Sequence, residues 1–304
     1  MEAILGGVAL NYRMEKIAVL GLGRMGQGIA FCLLENGYPV TVWNRSRGKE
    51  TSLLSKGAKW ADSPAEAAAD ANVVISMVSD DQASLAVWMG EKGALSQLKS
   101  GSFMIECSTL SFDHVSFLSG EAEKKGIVYI DCPVTGMPSA AAEGKLTLLV
   151  GADPVHLKIL RPVLSSFSNR TRHFGAVGSG TAYKLMINLM GAVQIAALAE
   201  GLAMSDKLGL DKETVIDAVQ NSAAASPQVI RNARRMADGH YTHLPAFTVG
   251  LRHKDAAYGL ALAKSVESQA PLGEAALAWF AEAAKENAGA DEAAVMQVIN
   301  NPPQ

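Results

Sequence analysis

Hydrophobic positions change their spacing about halfway along the chain. From Lys16 to about residue 175, short runs of β-branched and other apolar residues alternate with longer amphipathic stretches. That is the pattern of βα units around a parallel sheet. It predicts strands over residues 17–20, 40–43, 73–77, 103–106, 128–131 and 146–150, with helices starting near Met25, Ser46, Pro64, Gln82, Ser111 and Pro138. Ser63 before Pro64 has the form of a helix start, a capping hydroxyl followed by proline at the first helical position. Beyond residue 175 the strand pattern fades, and Ala, Leu and Met recur with helical spacing. Residues 181–208 read as one helix, about 42 Å long at 1.5 Å per residue. A helix of that length predicts a spine between a sheet domain and a helical domain, with residues 175–180 as the hinge. Further helices fit residues 212–221, 228–238, 251–268, 271–287 and 292–299, and the tail from Asn300 to Gln304 should fray.

Composition acts mainly by exclusion. Of 304 residues, 49% are hydrophobic and 19% charged, which suits a globular chain and excludes disordered and fibrous classes. Lys plus Arg total 27 against 30 Asp plus Glu, for a net charge of -3, so no basic excess invites nucleic acid or an anionic membrane. The apolar residues 3–10 have no positive cluster before them and fall far short of the roughly 20 residues of a membrane span. Residues 1–13 therefore read as an extension ahead of the first strand, mobile or loosely packed. Cys32, Cys107 and Cys132 lie far apart without close Cys or His neighbours, which argues against zinc and for a reducing, cytoplasmic setting. His240 and His243 are three apart but have no evident third ligand, so no metal is expected.

Candidate chemistry begins at Gly21-Leu22-Gly23-Arg24-Met25-Gly26, which follows one predicted strand and opens a helix. In that setting the three glycines form a dinucleotide fingerprint: one for the tight turn, one for close approach to a pyrophosphate, one for helix-to-strand packing. The phosphates meet unpaired N–H groups at the helix start, while the Met25 side chain is expected to pack. The fold expected is thus α/β, a Rossmann domain over residues 14–177 joined by the long helix to an all-α domain over residues 178–304. At the end of the second strand an NAD site normally offers an acid to the ribose hydroxyls. Here the turn reads Asn44-Arg45-Ser46-Arg47, a cation and several donors suited to a 2′-phosphate. NADP(H) is favoured over NAD(H).

Three further segments complete a pattern: Asp131-Cys132-Pro133-Val134-Thr135-Gly136-Met137; Gly178-Ser179-Gly180-Thr181-Ala182-Tyr183-Lys184-Leu185-Met186-Ile187-Asn188; and Phe247-Thr248-Val249-Gly250-Leu251-Arg252-His253-Lys254-Asp255. With the glycine loop, in this order, they resemble the β-hydroxyacid dehydrogenases, which include 3-hydroxyisobutyrate dehydrogenase and the glyoxylate and succinic semialdehyde reductases. The resemblance implies an active site in the cleft between the two domains, a catalytic lysine and no metal. It matches Lys184 to that lysine, with Asn188 holding it or the substrate. Four residues apart on a helix, the two share a face. An ammonium beside a carbonyl oxygen that gains charge on reduction supplies both stabilisation and a proton.

By the same resemblance Thr135 and Gly136 present a hydroxyl and backbone N–H groups to a substrate carboxylate. Met137 replaces the commoner second glycine, either as an apolar wall for a longer substrate or as packing. Asp131 and Pro133 read as structural. Ser108 and Thr109 match a pair beside the cofactor, and Val78 and Ser79 should meet its adenosine side or pyrophosphate. Lys254 matches a residue near the nicotinamide ribose, Asp255 an organiser of the closed cleft and Phe247 an apolar lid. The partners implied are a small carboxylate-bearing aldehyde or its hydroxy acid and further copies of the chain, as a homodimer or homotetramer. An imine reductase, which often carries Asp or Tyr in place of the lysine, and a non-catalytic dinucleotide-binding protein are the alternatives; Lys184 counts against both.

Overall fold

The computed structural model describes residues 15–239, 241 and 245–300. The 1–13 extension, His240, His243 and residues 301–304 lie outside the described residues. Among the described residues nine strands form one sheet: β1 Ile17–Leu20, β2 Val40–Trp43, β3 Lys59–Trp60, β4 Val73–Ser76, β5 Phe103–Glu106, β6 Val128–Asp131, β7 Val134–Thr135, β8 Leu146–Gly151 and β9 Ser168–Gly175. Their order is β3-β2-β1-β4-β5-β6-β8-β7, with β9 on β8. The pairs from β3 to β6 are all parallel. Every residue of β1 and β4 is buried, as continuous apolar runs require when helices cover both faces of a parallel sheet. Strand order reverses between β1 and β4, and ligands in such sheets bind outside the carboxyl ends of the strands at that point.

Beyond β6 the sheet is mixed. β8 runs antiparallel to β6 and β7, with Asp131 opposite Gly151 and Val134 opposite Leu148. Only residues 136–145 separate β7 from β8, fewer than the dozen or more that a parallel crossover needs. β9 returns parallel to β8 through the helix Pro154–Ser165. β9 does not stand out in the sequence, because it lies at an edge and is mostly exposed and polar. The helix is signalled by Asp153 as cap and Pro154 at the first helical position, although the sequence reading places none there. The helix expected near Ser46 begins at Thr51 instead: Gly48 turns with φ +100°, and the Glu50 carboxylate accepts its N–H at 2.7 Å.

The spine is a single helix, Ser179–Lys207, of 29 residues. Lys212–Gln220, Pro227–Asp238, Val249–Ser265, Pro271–Asn287 and Val295–Asn300 surround it, with a 3-10 turn at Glu292–Ala294. Ile195, Ala199 and Leu202 of the spine share a core with Ile216, Phe280 and Val295. By length and composition alone the spine passes for a membrane span, but half of its most apolar stretch is buried within the fold.

The expected hinge is tied down. Asp131, at the carboxyl end of β6, is fully buried and accepts the Gly178 N–H at 2.6 Å and the Thr181 N–H at 2.7 Å. A carboxylate there satisfies orphan donors at the helix start and faces the positive end of its dipole. Burial pushes the Asp131 carboxyl up, against those hydrogen bonds.

Candidate active site

Between the carboxyl ends of β1, β2, β4 and β5 and the helix Val249–Ser265 lies a cavity of about 490 Å³. Gly21, Gly23, Arg24, Met25 and Gly26 line one wall. Gly21 has φ +98°, and a Cβ on Gly26 would sit 1.9 Å from the Gly21 carbonyl oxygen, so the loop folds back tightly. Gly23 caps the helix Arg24–Glu35 without any side-chain hydrogen bond, and a Cβ there would meet no atom within 4 Å. First-turn N–H groups thus face an open cradle, as a pyrophosphate requires. Leu22, by contrast, is fully buried in the core, and its N–H is taken by Asn44 Oδ1 at 2.9 Å.

Asn44, Arg45, Ser46, Val78 and Ser79 also line the cavity. Asn44 doubles as a brace, since its Nδ2 donates to the Ser46 carbonyl at 2.8 Å. Arg47 is committed elsewhere: it pairs with Asp62 at 2.8 Å and stacks 4.0 Å over Trp60. Lys49, which the sequence reading passed over, lines the cavity beside Arg45. Basic residues fall at alternate positions 45, 47 and 49, and only the folded turn separates the two that face inward.

Lys184 enters from the spine and shares the cavity with Thr109, Gly136, Phe247, Lys254 and Asp255. It is half-buried, and its ammonium makes no hydrogen bond to protein among the described residues. Desolvation pushes its pKa from 10.5 down to about 8, with Asp255 acting upward and Arg252 and Lys254 downward. Asp255 is buried; its Oδ2 accepts Asn188 Nδ2 at 2.6 Å. Its Oδ1 lies 2.9 Å from Lys254 Nζ, an ion pair off the hydrogen-bonding line. Lys254 Nζ in turn donates to the Thr109 carbonyl at 2.6 Å and sits 4.9 Å over the Tyr258 ring. Two ammonium groups therefore flank the Asp255 carboxylate, and Lys254 also acts on the Asp80 carboxylate.

Several expected residues stand one layer back or to one side. Asn188 is buried and engaged with Asp255 rather than lining the cavity. Ser108 is buried, and its Oγ accepts the Val78 N–H at 2.8 Å, joining the loops after β4 and β5. Thr135 is exposed, and neither it nor Met137 is among the lining residues, whereas Pro138 is. Across the mouth, an Arg24 guanidinium N–H donates to the Pro245 carbonyl, linking the glycine loop to the helical half.

Comparison with known proteins agrees with this architecture. Residues 16–178 match the model of the NAD-binding domain of 6-phosphogluconate dehydrogenase. Residues 178–299 match that described as the NAD-binding of NADP-dependent 3-hydroxyisobutyrate dehydrogenase. Glyoxylate/succinic semialdehyde reductase 1 of Arabidopsis thaliana is 31% identical over 93% of this chain and 98% of its own. The 3-hydroxyisobutyrate dehydrogenase of Pseudomonas aeruginosa is 30% identical over 94% and 98%. Among solved structures, the Mycobacterium tuberculosis 3-hydroxyisobutyrate dehydrogenase with L-serine superposes with a TM-score of 0.84 at 29% identity, covering 94% of this chain and 99% of that one. With both halves matched and the glycine loop and Lys184 on one cavity, the chain belongs to the β-hydroxyacid dehydrogenase family of oxidoreductases.

Proposed function

We propose that the protein is an NADPH-dependent reductase of small aldehydes that carry a carboxylate, such as semialdehydes or glyoxylate, and that Lys184 is its proton donor. The observation that carries this reading is the Lys184 ammonium, held near pKa 8 in the cavity that the dinucleotide loop also lines. NADPH, when bound, supplies the hydride. The uncapped N–H groups beyond Gly23 would hold its pyrophosphate, and Arg45, Ser46 and Lys49 its 2′-phosphate. Lys184 neutralises charge as it builds on the carbonyl oxygen and then gives that oxygen a proton. In the reverse direction the neutral amine takes the proton from a hydroxy acid. Lys254 and Asp255 hold the far side of the site, and the Gly136 backbone with the Lys184 ammonium favours a carboxylate.

We further place the enzyme in the cytoplasm, in keeping with three free and buried thiols. It would act as a homodimer or homotetramer. An apolar groove of about 780 Å³ along the spine, with Met186, Met190, Val266 and Leu272 at its surface, supports association, which sedimentation analysis measures directly.

The substrate class is tested by comparing succinic semialdehyde with butanal as oxidants of NADPH. Losing a charge-assisted hydrogen bond costs about 1.5–3 kcal/mol, so kcat/KM should favour the semialdehyde by a factor on the order of 10 to 100. Equal turnover of butanal would mean that no carboxylate is recognised.

A further inference from the structure

Behind Lys184 lies a charge cluster that does not itself line the cavity, although Arg252 stacks 4.6 Å over the ring of Phe247, which does. Arg252 is 3% exposed and Glu292 1%, and neither lines the cavity. Arg252 Nε and Nη2 donate to Glu292 Oε2 at 2.8 and 2.6 Å, while Arg231 pairs with Glu292 Oε1. Arg252 Nη1 reaches the spine and donates to the Asn188 carbonyl at 3.1 Å. The spine makes room for it: a Cβ on Gly191 would lie 3.1 Å from that Nη1. Asn188 is one turn beyond Lys184, and its own side chain fixes Asp255 at 2.6 Å.

We propose that Arg252 and Glu292 are a positioning pair: Arg252 braces the spine at the Asn188 carbonyl, one turn from Lys184, Asn188 holds the Asp255 carboxylate that acts on the ammonium, and the pair's balance of charge sets how readily that ammonium releases a proton. This extends the reading of Lys184 as proton donor and rests on it for its catalytic meaning. A buried ion pair is a poor source of stability compared with apolar packing, so its placement beside a reactive lysine calls for another role. The charged groups that face Lys184 are Asp255, Lys254 and Arg252, all on the helix Val249–Ser265. Glu292, on the 3-10 turn, stands beyond Arg252 and offsets its charge. Asp131, on the sheet side, is spent on backbone N–H groups of residues 178 and 181.

Glu292→Gln removes the charge that offsets both Arg252 and Arg231 and leaves Arg252, the nearer guanidinium on the charge path to Lys184, without its carboxylate. At an effective dielectric of about 20, a unit charge roughly 10 Å away moves a pKa by about one unit. The Lys184 amine should therefore titrate at least about half a pH unit lower in Glu292→Gln. The double variant Arg252→Gln/Glu292→Gln removes one cation and one anion, and because Arg252 is the member that acts directly on Lys184, the titration should move upward. The titration is read without any assay of turnover, as the pH dependence of Lys184 acetylation by acetic anhydride, followed by mass spectrometry of the peptide. Opposite shifts in the two folded variants support the pair. If Glu292→Gln does not fold, the upward shift in the double variant decides alone. An unmoved Lys184 titration in every folded variant overturns the proposal, whatever happens to activity. Measured alongside, the alkaline limb of aldehyde reduction should follow the amine; if the amine shifts and the limb does not, the pair stands and Lys184 is not the proton donor.

Discussion

Replacing Lys184 with Met should abolish reduction and make the protein more stable. Met keeps a flexible, unbranched chain of similar length and drops the charge. The native ammonium is displaced from 10.5 to about 8, and at 1.36 kcal/mol per unit that is a ceiling of about 3 kcal/mol for holding it in the fold. Lys184 keeps contact with the cavity, which returns part of that, so a gain of about 1–2 kcal/mol is expected at pH 7. For a chain of this size it corresponds to a rise in Tm of about 2–8 °C. The sign depends on pH. Between about 8 and 10.5 the unfolded chain holds a proton that native Lys184 has lost, so wild-type stability rises relative to the variant over that window. Thermal unfolding of both proteins without cofactor, at pH 7 and pH 10, is the assay. The variant should lead clearly at pH 7 and by much less at pH 10. A variant no more stable than wild type at pH 7, or a lead that persists undiminished at pH 10, would refute the account of a desolvated ammonium.

Turnover carries the same titration in the opposite senses: kcat/KM for aldehyde reduction should fall as pH rises through about 8, while hydroxy acid oxidation rises through it. A steady-state pH profile in both directions checks this, and Lys184→Ala should lower kcat by about 10² or more. Cofactor choice is read by fluorescence titration: NADPH should bind at least about ten times more tightly than NADH, and Arg45→Ala/Lys49→Ala should erase that difference while leaving NADH affinity almost unchanged. Equal affinities in the wild type would remove the case for a 2′-phosphate site.

What the sequence discloses depends on whether a residue acts locally. β1, its glycine loop and the helix after it are legible because continuous apolar residues, a turn and a helix start follow one another directly. The spine is legible because its apolar composition runs on for 29 residues. β9 is not, since an exposed edge strand imposes no alternation of apolar and polar positions. Lys184, Lys254 and Asp255 can be picked out by resemblance, and they do line one cavity. The direction of a side chain is harder to read: Asn188, one helical turn from Lys184, is engaged with Asp255 and does not itself line the cavity. Glu292 is invisible from sequence because its partners Arg231 and Arg252 are 61 and 40 residues distant.

The Asp131 clasp makes the spine a lever with its fulcrum beside the candidate site. The clasped amides of residues 178 and 181 sit at one end of the helix. Lys184 lies three residues, roughly 5 Å, beyond the second of them, and Lys207 about 39 Å beyond it. A tilt of about 5° around that fulcrum would swing the far end by more than 3 Å and shift the lysine backbone by roughly 0.4 Å. A displacement of the distal end of the spine about that fulcrum would thereby be demagnified at Lys184. A carboxylate so placed would keep Lys184 in register with the cavity while the far end of the spine moves, a tolerance that a free hinge at the same residues would forfeit.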